Sequence, residues 1–322
     1  MKRKNIATAA IITLAAVALI FSGCHRDDSG RTSITFGTAG AAGTFFVVGA
    51  AMSQTVNEYS DFLHVTAQVT NGSVENINLT NVGEMDMGMS NSDGVFWATT
   101  GTGPFEGRPQ NISVVMSLYL STGQMATLRG SGINSWADLR GRRVVLGPPG
   151  TTIIEMSRAI LRAYGIDPDN DITPLYLAFD EGLSELMDGT VAASFFVAAA
   201  PTAAMTNATS TGRVQLLSVS ESVIDRVSTE MPFFTPHVIP AGTYPHMDSD
   251  VLSLKIMTEI FANNNVPEDV IYEFVRMTLD NTSHFVGSHV AAQEINIYTA
   301  ASSSSRYHPG ALRFFRSRGV LP

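Results

Sequence analysis

The sequence holds a single cysteine, Cys24, among its 322 residues, so no disulfide can form within the chain. Catalytic apparatus is equally sparse. The seven histidines, His25, His64, His237, His246, His284, His289 and His308, fall in no His-Glu-x-x-His or other paired-ligand spacing, which argues against a zinc site. No Gly-x-Ser-x-Gly elbow presents a serine nucleophile. Neither a Gly-Lys-[Ser/Thr] phosphate loop nor the Gly-x-Gly-x-x-Gly dinucleotide fingerprint occurs, and the chain is assigned no cofactor. Past residue 21 there is no second apolar run of membrane length. Basic residues number 20 against 29 acidic ones, a formal charge of −9, which disfavours nucleic acid as a partner.

What is present begins with an address. Lys2, Arg3 and Lys4 precede a stretch without charge as far as Arg26, and the apolar run 6–21 fills most of it, the charge order of a secretory signal. A permanent anchor helix is the alternative, since such a run approaches the ~20 residues that span a bilayer. Phe21-Ser22-Gly23-Cys24 resembles the lipobox of bacterial lipoproteins, with Phe21 in place of the usual Leu. The resemblance implies cleavage after residue 23 and lipid on Cys24, including an N-acyl chain such as palmitate. More than one buried tail, at ~0.8 kcal/mol per methylene, anchors a protein stably. Residues 24–31 then read as a short polar tether. Loss of the three basic leader residues takes the formal charge from −9 to −12.

The remaining chain, 44% hydrophobic overall, has ample material for a large core. Residues 32–36 alternate like a strand, a glycine-rich loop spans 37–44, and Phe45, Val48, Met52, Val56 and Tyr59 follow at helical spacing. A second strand over 64–69 turns at Asn71-Gly72-Ser73 into a helix from Val74, and 85–89 reads as a short buried strand. The pattern recurs with a strand at 143–146, a loop at 147–152 and a helix at 153–164. Further strands are expected at 112–119, 124–128, 175–178, 191–197 and 214–219, and mostly helix after Val219, with Pro267 opening one helix. Strand and helix in alternation imply an α/β fold with mostly parallel sheets flanked by helices. Two such units imply two lobes: lobe I from 32–115 and 222–322, lobe II from 116–221, with ligand in the inter-lobe cleft at the carboxyl ends of strands.

The 37–44 loop offers glycine-exposed amides and the positive end of a helix, an arrangement suited to an anion; a tight strand-to-helix connection accounts for its glycines equally well. Thr151 and Thr152 of the 147–152 loop offer hydroxyls opposite it, or cap a helix. Ser90-Asn91-Ser92-Asp93 follows a buried strand, as a polar cluster or as a helix N-cap.

Several segments together resemble one family, the TAXI-type extracytoplasmic solute receptors of TRAP transporters: ITFGTAGAAGTFFVVGAAM (34–52), VTAQVTNGSVENINL (65–79), GEMDMGMSNSDGVFWA (83–98), INSWADLRGRRVVLGPPGT (133–151), VIPAGTYP (238–245) and HPGALRFF (308–315). The resemblance implies a two-lobed periplasmic binding protein, type II-like, that is no enzyme. It would close over a small organic anion of amino-acid, keto-acid or dicarboxylate type and deliver it to a TRAP permease from the extracytoplasmic face. By position, ligand contacts are implied at Gly43, Thr44 and Phe45, at Asn71, Ser73 and Asn76, at Ser92 and Asp93, and at Gly150 and Thr151. Phe45-Phe46 stands where many members carry a tyrosine pair, which implies a less polar ligand or another pose. Ala192, Ser194 and Ala199 depart from the family pattern on the far wall. Two other readings stay open: a lipoprotein that senses its ligand for a membrane kinase, and a periplasmic enzyme on the same scaffold.

Overall fold

The computed structural model describes residues 30–41 and 43–322. The expected leader, Cys24 and nearly all of the tether lie outside the described residues. In chain order the strands and helices are β1 (Thr32–Gly37), α1 (Thr44–Tyr59), β2 (Leu63–Gln68), α2 (Ser73–Asn81), β3 (Met87–Asn91), α3 (Ser92–Thr100), β4 (Ile112–Leu128), β5 (Arg143–Val145), α4 (Ile153–Ala163), β6 (Thr173–Leu175), α5 (Phe179–Met187), β7 (Ala193–Ala198), α6 (Ala203–Ser210), β8 (Val214–Leu216), α7 (Glu221–Glu230), β9 (Thr235–Ile239), β10 (Val251–Asn263), α8 (Glu268–Asp280), α9 (Ile297–Ala300) and α10 (Pro309–Ser317).

The two-lobed α/β architecture holds, and its sheet differs in one respect from expectation. A single ten-stranded sheet, in the order β2-β1-β3-β10-β4-β7-β5-β6 with β8 on β4 and β9 on β10, runs through both lobes. Pairing is parallel only towards its ends, β2 and β3 on β1 and β6 and β7 on β5. In the middle, β4 and β10 pair antiparallel with each other and with β3, β7, β8 and β9. The chain after Val219 is thus not mostly helical. β10 is buried along most of its length, so its polar-apolar alternation is confined to 252–256 and breaks at Met257 and at Ile260-Phe261, and its apolar residues read equally well at helical spacing. The two expected strands 112–119 and 124–128 are one, β4, for the same reason.

Core packing sorts the elements into lobes. Val48, Met52 and Val56 of α1, four residues apart on one face, are fully buried with Phe36, Met87, Met89, Ile260 and Phe274. Phe36 meets Phe274 edge-on at 5.9 Å; burial of such a side chain stabilises by about 1.5–3 kcal/mol. On the other face, Ile77 of α2 and Val95 of α3 pack with Val114 and Phe261. The second lobe gathers Met125, Trp136, Met156, Ile160 and Phe195. Val223, Ile224 and Val227 of α7, with Leu254 and Ile256 of β10, belong to that second cluster, and Ile260 and Ala262 of β10 to the first. β4 and β10 each contribute to both clusters, and their register shifts between Met257 and Glu259. There the Leu120 amide donates to the Glu294 carboxylate (3.1 Å), and the His289 ring meets the Pro201 carbonyl (3.0 Å), so the tail clasps this stretch.

Candidate functional site

β1, β2 and β3 lie side by side, and helices α1, α2 and α3 follow them, so three helix N-termini come from three neighbouring strand ends. One side chain ties these ends together. Asn76 Nδ2 donates to the carbonyls of Thr38 (2.7 Å) and Met89 (2.8 Å), and its Oδ1 accepts from Thr70 Oγ1 (2.7 Å). Asn76 is fully buried. This explains two glycines. A Cβ on Gly37 would lie 2.5 Å from Asn76 Oδ1, and one on Gly88 would lie 2.9 Å from Asn76 Cβ. Gly37 of the glycine-rich loop therefore serves close packing, while Gly40 has open space around it.

The first turn of an α-helix leaves its amides without intrahelical acceptors. In α2 these are met by the protein. Val74 and Glu75 amides donate to the Gly150 carbonyl of the second lobe (3.0 and 3.3 Å), and the Glu75 carboxylate turns back onto the Asn71 amide (2.5 Å). Gly150 has φ +78°, a conformation that favours glycine and orients this carbonyl. Ser73 is buried with its Oγ at 3.4 Å from the Asn91 amide.

In α3 the protein again supplies its own acid. Asp93, buried, accepts from the Gly94 amide (2.6 Å) and from the hydroxyl of Thr152 (3.0 Å), a second-lobe residue that is itself fully buried. Burial pushes the Asp93 carboxyl up to about 7, aided by the charge of Glu155 and opposed by these hydrogen bonds. Thr151 donates to the Pro148 carbonyl (2.8 Å) within its own loop, and Ser92 is half-buried at the start of α3.

α1 differs from both. Gly43 caps it in an extended conformation (φ −93°, ψ 155°); like α2 and α3 it has no side-chain cap, and unlike them it has no acid in its first turn. Thr44 is only 4% exposed, and its Oγ1 is buried with no hydrogen-bond partner among the described residues. Phe45 packs against the first core cluster. Asn91, which caps α3, likewise keeps a buried Oδ1 without a partner. Sequence reasoning passed over Asn91 as part of a polar run; its position after an all-buried strand was the available signal. On the far wall Ser194 Oγ is buried and unpartnered, facing α5, where a Cβ on Gly182 would come within 2.5 Å of it.

The structure thus brings the 147–152 loop against the loops at 71–75 and 93–94, and it uses Asn76, Asp93 and Gly150 for contacts within the protein. A cavity of about 130 Å³ between Arg129, Tyr244, His246 and Asp248 is separate, sharing no lining residue with these loops.

The fold and this arrangement define the class, a two-lobed α/β binding-protein fold with the lobes meeting over strand carboxyl ends. The chain belongs to the NMT1-like family, whose profile matches residues 36–319. Among solved structures it is similar to PhnD1 from Prochlorococcus marinus (MIT 9301) in complex with methylphosphonate, at 12% identity over 90% of this chain and 99% of that one, TM-score 0.55. It is also similar to XAC2383 from Xanthomonas citri bound to ATP, at 10% identity over 89% and 96% of the two chains, TM-score 0.51. At these identities the likeness concerns the fold. No helix among the described residues is long and apolar enough to cross a membrane.

Proposed function

We propose that the chain is an extracytoplasmic receptor that captures a small organic anion between its lobes and hands it to a membrane permease, without turning it over. The observation that carries this reading is the start of α1. A helix dipole, an uncapped first turn and the buried, unpartnered Thr44 hydroxyl converge there, at the strand ends where the lobes meet. The named contacts include no Lys or Arg, so the anion is held by dipoles and hydroxyls rather than by an ion pair. Asp93, its carboxyl close to half-protonated near pH 7, is compatible with an anion nearby.

The resemblance to TAXI-type receptors favours a carboxylate as ligand and a TRAP permease as partner, with the receptor held at the membrane by lipid on Cys24. The complex of PhnD1 with methylphosphonate supports a second reading, a phosphonate or similar tetrahedral anion delivered to a different transporter class. The packing supports lobes that exchange within β4 and β10 rather than at 115 and 222. A thermal-shift and calorimetric panel of amino acids, keto acids, dicarboxylates and methylphosphonate separates the readings. One-to-one binding of a carboxylate is expected; binding of methylphosphonate alone selects the second reading, and silence across the panel defeats both.

A further inference from the structure

The 147–152 segment of the second lobe is a strap laid across two helices of the first. Its Gly150 carbonyl takes the Val74 and Glu75 amides of α2, and its Thr152 hydroxyl donates to Asp93 of α3. The surfaces are also matched in shape. A Cβ on Gly72 would lie 3.2 Å from the Thr151 methyl, and one on Gly94 would lie 3.0 Å from the Thr152 methyl, so both threonine methyls lie in tight contact over glycine. Thr152 and Asp93 are 0% and 1% exposed, the burial of an interior contact rather than of a surface encounter.

We propose that this strap is a latch: Thr152 and Gly150 hold the lobes together by contacts wholly within the protein, so that the solute-free receptor rests closed and a solute enters by displacing the latch. Thr152 and Asp93 are then positioning residues that set affinity without touching the solute. Part of every solute's binding energy goes into opening an equilibrium that the latch has biased, and loosening the latch raises the fraction ready to bind. The inference is independent of the solute's chemistry, because each contact it uses is between protein groups.

Hydrogen exchange on solute-free protein tests it directly, since Val74 and Glu75 occupy first-turn positions whose amides have the Gly150 carbonyl as acceptor in place of an intrahelical one. The wild-type protein is dialysed after a mild denaturation and refolding cycle to remove carried-over solute, and exchange is followed at Val74, Glu75 and, as reference, Phe36 in β1. Protection of Val74 and Glu75 by about 100-fold or more over free-peptide rates is expected. Thr152→Val raises exchange at both by about tenfold, the size of one buried hydrogen bond, with Phe36 unchanged, and Thr152→Ser restores protection. Free-peptide rates at Val74 and Glu75 in the wild type overturn the proposal whatever the variants do. So does unchanged exchange in Thr152→Val, and so does a rise shared equally by Phe36, which would make Thr152 a part of the fold and not a latch.

Discussion

Three helices of one lobe begin at three adjacent strand ends, and the protein finishes them differently. α2 is closed by the Gly150 carbonyl and carries its own Glu75; α3 carries Asp93 in its first turn; α1 has no acid there. All three present the same dipole. Position at a strand end is therefore not what makes a site, because two of the three first turns already hold an acid supplied by the protein. The candidate site is the start left open, marked by the unpartnered Thr44 hydroxyl.

The most severe way to break the comparison is to give α1 the acid that its neighbours have. Gly43 is extended, and a Cβ there would meet the Gly40 carbonyl at 3.3 Å, so Gly43→Asp takes the N-cap once that carbonyl yields by a few tenths of an ångström. Calorimetry with the captured acid is expected to show no binding, since like charges in contact cost several kcal/mol, while denaturant melts show stability rising by roughly 0.5–1 kcal/mol.

The second largest effect concerns α3. Asp93 is raised from 3.8 to about 7, and Glu259 is raised from 4.5 to about 7, in both cases chiefly by burial. A raised acid binds its proton more tightly folded than unfolded. Its contribution is therefore fully present below the unfolded pKa around pH 4, and it declines as pH rises to about 7, then levels off. For Asp93 this is at most about 4 kcal/mol. Melting temperatures read from pH 8 down to pH 5 should rise, and the rise should shrink in Asp93→Asn.

Asn76→Ala is expected to cost about 3 kcal/mol of unfolding free energy, since it strands the Thr38 and Met89 carbonyls and the Thr70 hydroxyl. Thr44→Ala is the opposite kind of change, weakening solute binding by about tenfold with little shift in the melt of the solute-free protein. Glu75→Gln, which removes the charge that already serves α2, should cost only about 0.5 kcal/mol in stability and leave affinity nearly unchanged. A large loss of affinity in Glu75→Gln would mean that the site is at α2 instead.

These contrasts show what could be read without coordinates. The strand-loop-helix units were legible because α1 and α4 keep their apolar residues at helical spacing, and Val48, Met52, Val56, Met156 and Ile160 are all buried. The glycine and hydroxyl content marked the 147–152 loop, but not that it meets the starts of α2 and α3. β10 was not legible, since in a strand enclosed on both faces the alternation of 252–256 gives way to adjacent apolar residues at 256–257 and 260–262. Nor was the division of labour inside the loops. Asn76 and Thr44 are both polar residues beside a glycine loop, and only the partners around them show that one is fully engaged and the other is open. Gly150 was named only as a ligand contact implied by resemblance; its carbonyl, at φ +78°, takes the Val74 and Glu75 amides of α2.

Whether the start of α1 receives the anion is decided by a crystal structure of the protein with whichever acid gives the largest thermal shift. An acid oxygen is expected within hydrogen-bonding distance of Thr44 Oγ1 and of the first-turn amides of α1, with the Val74 and Glu75 amides still on Gly150 or released to solvent by opening. An acid bound at the Val74 and Glu75 amides in place of the Gly150 carbonyl, with Thr44 Oγ1 untouched, would contradict a site at α1.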